Sequence, residues 1–105
     1  MAVHFTDENF HEEVINSSIP VMVDFYADWC GPCKMMAPMV DKLSEEYEGR
    51  IKIGKINAED NPEAAGQYDV MSIPTFLFIK DGQVVDTAVG GMTEAAMRGK
   101  LDAML

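Results

Sequence analysis

The sequence predicts an α/β fold: a central mixed β-sheet of four to five strands with about four helices on its two faces. Three observations carry that expectation. Apolar runs of strand length alternate with segments of helical period. Their order is helix, strand, helix, strand, helix, strand, strand, helix, with a short strand at residues 2–5 before them. Asp81-Gly82 separates the last two strands with a two-residue hairpin signal, so residues 83–89 pair antiparallel with the strand before them.

Each element has its own local reason. Thr6 is a good N-cap, and Phe5 can staple to Phe10 across the first turn of a helix that runs to about Asn16. Val21-Met22-Val23-Asp24-Phe25-Tyr26-Ala27 reads as a strand buried on both faces and interrupted by one acid. Met35, Met36, Met39, Val40, Leu43 and Tyr47 then recur at helical spacing, with Asp41, Lys42, Glu45, Glu46 and Glu48 largely on the other side. Pro38 falls inside that helix, where it removes a backbone donor and is expected to kink it. Residues 51–56 form the next strand, and Asn61-Pro62 opens a short helix with proline in its first turn. Residues 75–79 are a third strand, followed by the hairpin. Thr93 caps a last helix with an apolar stripe of Met97, Leu101 and Met104, weakened at Gly99 by about 1 kcal/mol relative to alanine.

The chain has 105 residues and reads as a single domain, 1–105. A chain of this size buries roughly 60–70% of its unfolded surface, so it needs no metal or structural staple. Eight Lys+Arg against eighteen Asp+Glu leave a net charge of −10. That charge is repelled by phosphate backbones and anionic lipid, which argues against nucleic-acid and membrane partners. The longest apolar stretch, residues 19–23, is far short of a membrane span. Asp7, Glu8, Glu12 and Glu13 break up the N-terminal region where a secretory signal needs an apolar run, so a cytoplasmic location is expected. There, a cysteine pair is more often catalytic or metal-binding than structural.

Both cysteines lie in Trp29-Cys30-Gly31-Pro32-Cys33, between a strand and a helix. Free backbone N–H groups and the helix dipole stabilise an anion at such a junction, so a thiolate at Cys30 is favoured, with Lys34 adding positive charge nearby. If Cys30 attacks a disulfide, Cys33 is tethered close enough to resolve the mixed disulfide. The pair then carries two electrons with no bound cofactor. A zinc site needs about four ligands, and His4 and His11 lie far upstream without a metal spacing, so no metal is expected. Asp24 is a lone carboxylate in an apolar strand. If it is buried, its pKa rises towards the range a general base needs near neutrality; a partly exposed acid at the strand end is an equal reading. Lys55 shares strand parity with Ile51 and Ile53, so its stem covers apolar surface.

The segment from Asp24 to Lys34, followed in order by Pro38, Lys55, Ile73-Pro74-Thr75, Asp81-Gly82 and Val89-Gly90, resembles the thioredoxin family over essentially the whole chain. The resemblance implies the thioredoxin fold and a general protein-disulfide reductase, re-reduced by a thioredoxin reductase that draws on NADPH. It implies disulfide-containing protein substrates and a monomer. It also assigns roles. Cys30 is the exposed nucleophile and Cys33 the buried resolving thiol; Asp24 is the acid behind Cys33, with Lys55 as its charge partner. Ile73-Pro74 matches the family's cis-proline, with the Ile73 backbone free to pair with an extended substrate segment. Trp29, Gly31, Pro32, Ile73, Pro74, Gly90 and Gly91 make a flat, uncharged docking patch. Tyr26, where many members carry a second tryptophan, and Ser72, where some carry glycine, depart from the pattern without touching the chemistry. Met71 and Met92 fall beside the docking loops, where soft side chains can broaden partner choice. Two other functions use the same scaffold: a redox-independent binding subunit of a larger complex, and an oxidant or isomerase of exported proteins. Gly31-Pro32 argues against the second.

Overall fold

The computed structural model describes residues 2–105. Five strands form one sheet in the order β1-β3-β2-β4-β5: β1 (Val3–His4), β2 (Val21–Tyr26), β3 (Lys52–Asn57), β4 (Thr75–Lys80) and β5 (Gln83–Val89). β3 pairs parallel with both β1 and β2, whereas β4 pairs antiparallel with β2 and β5. The sheet is therefore mixed, as the hairpin signal predicts. Asp81 and Gly82 both take positive φ, 53° and 77°, the conformation a two-residue hairpin demands.

Alternation along the strands builds two cores. Val21, Val23, Phe25, Leu77 and Ile79 face one way, onto a short π-helix (His11–Ile15) and α2 (Pro62–Gln67). Met22, Ile53, Phe76 and Phe78 face the other, onto α1 (Gly31–Glu46) and α3 (Glu94–Asp102). In α1 the buried stripe is Met36, Val40 and Leu43, continued by Tyr47; Met35 stands a helical step away from it and is exposed, contrary to its place in the apolar pattern. The helix continues through Pro38. The last helix is as expected: the Thr93 hydroxyl accepts the Ala96 N–H at 3.1 Å, and Met97, Leu101 and Met104 are buried.

The first helix differs from its prediction. Thr6 does cap a turn, accepting the Asn9 N–H at 3.2 Å, and Phe5 meets Phe10 edge-on with ring centroids 6.5 Å apart. Beyond that turn the chain forms the five-residue π-helix rather than a regular α-helix. Tertiary packing of Phe10 and Val14 onto β2 and β4 sets its winding, because a segment this short has little helical stability of its own.

Long-range polar contacts lock the layers. The Asp7 carboxylate accepts the N–H groups of Glu63 and Ala64 at 3.1 and 2.9 Å, so the start of α2 is capped from a residue more than fifty positions away. Asn61 Oδ1 accepts the Asp7 N–H in return at 2.8 Å. On the opposite face, the Tyr47 hydroxyl donates to Asp102 at 2.6 Å, and Arg98 on α3 bridges Glu94 and Glu46.

Candidate active site

The cysteine pair sits where β2 ends and α1 begins. Cys30 is the N-cap of α1 in extended conformation, and its sulfur accepts the Cys33 N–H at 3.2 Å. Gly31 and Pro32 form the first turn, where the missing proline N–H leaves no unmet donor. No acidic residue occupies that turn, so the positive end of the helix is not neutralised from within it. Cys30 and Cys33 form a disulfide with Cα atoms 5.3 Å apart.

The expected contrast in exposure between the two sulfurs is absent. Cys30 is 3% exposed and Cys33 5%, because in the disulfide both pack with Ala27 against Tyr26 and Ile73. What stands out is the rim. Trp29 is 67% exposed and Met71 91%, and both line a groove of about 480 Å³ with Ile73, Val70 and Ala58 on its apolar side. Trp29 and Met71 thus leave aromatic and thioether surface exposed beside the disulfide.

The docking patch predicted as flat is a stepped one. Gly31, Pro32 and Gly91 are exposed and Ile73 and Gly90 half-buried, but Pro74 is buried. The Ile73–Pro74 peptide is cis, and the Pro74 carbonyl accepts the Gly90 N–H at 2.8 Å, which ties the two loops together. Gly90 takes φ of 89°, a conformation side chains disfavour. Met71 lines the groove beside Trp29, whereas Met92 packs against the core on the α1 and α3 side.

Behind the disulfide, strand register brings the remaining polar residues together. Asp24 on β2 lies beside Lys55 on β3 and Phe76 on β4, on the same sheet face as Met22. It is 1% exposed, and its Oδ1 has no hydrogen-bond partner among the described residues. Burial pushes its pKa up to about 7, while the Lys55 ammonium pulls the other way. An unpartnered buried carboxyl poised near neutrality is costly for stability and suited to proton transfer. A cleft of about 160 Å³ is walled by Tyr26, Ala27, Asp28, Cys33, Lys34, Ala37 and Lys55, the last of these the register partner of Asp24.

Tyr26, which the sequence reading kept apart from the chemistry, packs against the disulfide and lines the cleft with Cys33. The Lys55 ammonium lies over its ring, 4.8 Å from the centroid. The contact was missed because it joins neighbouring strands, and only register places the two residues together. Among the described residues no group of three or more metal-ligating side chains occurs, and no helix is long and apolar enough to cross a membrane.

Comparison with known proteins agrees with this geometry. The thioredoxin family model matches residues 1–103. Thioredoxin 1 of Synechococcus elongatus is 48% identical over 105 residues, covering 100% of this chain and 98% of that protein. Thioredoxin 1 of Nostoc is 46% identical over 104 residues, covering 99% and 97%. A thioredoxin of Haemophilus influenzae is 48% identical over 95 residues, covering 90% and 89%. With a dithiol–disulfide couple at the head of α1 and relatives of this similarity along its whole length, the chain is a thiol–disulfide oxidoreductase, a protein-disulfide reductase, and belongs to the thioredoxin family.

Proposed function

We propose that the chain reduces exposed disulfides in proteins by a two-step exchange in which Cys30 attacks and Cys33 resolves. The observation that carries the division of labour is the placement of Cys30 as N-cap, with Cys33 one turn further in and on the wall of the cleft that Lys55, the register partner of Asp24, also lines. In the reduced protein the Cys30 thiolate attacks one substrate sulfur. A Cys30–substrate bond forms, the substrate disulfide breaks, and the other substrate sulfur leaves as a thiolate that takes up a proton. Asp24 then accepts the Cys33 proton, and the Cys33 thiolate attacks Cys30 Sγ. The Cys30–Cys33 bond forms, the second substrate sulfur leaves, and two electrons have passed to the substrate.

Lys55 is the charge partner of Asp24. Trp29, Gly31, Pro32, Ile73, Gly90 and Gly91 form the docking rim, with Pro74 as its buried support. The rim offers apolar and backbone surface, which suits extended disulfide-bearing segments. Re-reduction falls to a thioredoxin reductase that draws on NADPH, in the cytoplasm, and the chain works as a monomer without bound cofactor. Nothing in the site favours the scaffold or the oxidant reading.

The test is a pair of variants with a disulfide-bearing protein and a small dithiol. Cys30→Ser is expected to abolish turnover, and Cys33→Ser to accumulate a mixed disulfide visible by mass spectrometry. Full activity in Cys30→Ser overturns the mechanism; adducts that form through position 33 in Cys30→Ser reverse the two roles.

A further inference from the structure

Tyr26 ends β2, two residues beyond Asp24 on the same sheet face, and its register partner is Asn57. Lys55, two residues before Asn57, is the register partner of Asp24. Its flexible four-carbon stem can point its ammonium inwards to Asp24 or out to water. Several charges bear on that choice. The exposed Asp28 and Asp60, and the buried Asp24, all act electrostatically on Tyr26. Lys34 lines the same cleft from α1, and His4 is the register partner of Lys55 on β1. The ring face of Tyr26 lies 4.8 Å from the ammonium, which favours the inward arrangement, and both side chains wall the cleft that reaches Cys33.

We propose that Tyr26 is a positioning residue: its ring face holds the Lys55 ammonium at the inner wall of the cleft, where it acts on Asp24 and on proton transfer with Cys33. The ring, rather than the hydroxyl, does this, so an aromatic without the hydroxyl serves as well.

The direct test titrates the Asp24 carboxyl by NMR in the oxidised protein, where neither cysteine ionises. Tyr26→Leu is expected to raise the midpoint by about half to one pH unit, because Lys55 then spends time in solvent and its charge is screened. Tyr26→Phe and Tyr26→Trp restore the native midpoint. Lys55→Met raises the midpoint by itself, and adding Tyr26→Leu to it moves the midpoint no further. Tyr26→Met serves as a second ring-less variant should Tyr26→Leu not fold. An unchanged midpoint in the ring-less variant, or an equal shift with Lys55 already removed, overturns the proposal.

A kinetic arm rests on the reading of Asp24 as the base for Cys33. Resolution of the mixed disulfide is expected to slow about 3- to 10-fold at pH 6 in Tyr26→Leu and to approach the native rate above pH 9, following the carboxylate fraction. A midpoint that shifts while this rate stays native refutes the role of Asp24 and leaves the placement of Lys55 by Tyr26 standing.

Discussion

Successive residues of β2 meet two different environments. Val21, Val23 and Phe25 enter a face packed by Phe5, Phe10, Val14 and Ala64, with apolar side chains throughout. Met22 enters the other, and Asp24 follows it there between Lys55 and Phe76. The first face is built for stability. The second gives up stability at one position to hold a carboxyl near its titration point behind the cysteines. Period-two alternation lets a single strand do both, since neighbouring side chains never share a face.

The largest expected effect is on the apolar face. Phe25 is fully buried, so Phe25→Ala should cost about 3–5 kcal/mol in denaturant unfolding. A loss below about 1 kcal/mol would deny that this face supplies the stability.

Asp24→Asn tests the other face, and the sign follows from the direction of the shift. The folded pKa, about 7, lies above the ordinary 3.8, so folding favours the protonated form. Its stabilising contribution is full below the unfolded pKa and is lost as pH rises through the folded one. Native stability should therefore fall between pH 4 and 8 relative to Asp24→Asn, by up to about 4 kcal/mol. The variant should be the more stable protein at pH 8, although its resolving step is slowed. Parallel stability curves for the two proteins would remove the contrast between the faces.

The smallest effect sharpens the account of the apolar face at its edge. Asp7→Ala removes the cap on α2 and should cost about 1 kcal/mol, with faster hydrogen exchange at the Glu63 and Ala64 amides. Unchanged exchange there would mean that packing of Ala64 alone holds the helix start.

Much of the fold was legible because its signals are local. The hairpin at Asp81-Gly82 and the cap at Thr93 each depend on residues a few positions apart, and both formed where expected. The π-helix was not legible, because its winding answers to the sheet beneath it. In the site, the short spacing of Cys30 and Cys33 announced the redox couple. Their shared burial, and that of Pro74, depended on loops that meet only in the folded chain.

The sequence by itself determined the redox group, the α/β order and the parity that sets Lys55 on the face of Ile51 and Ile53. These follow from short-range spacing and alternation, which act before the chain is packed. Only the tertiary structure decided that Lys55 lies over Tyr26, that Asp7 caps a helix more than fifty residues away, and that Asp24 is left without a partner for Oδ1. Such contacts depend on the register between strands and the docking of loops, and a slip of one residue would exchange every face.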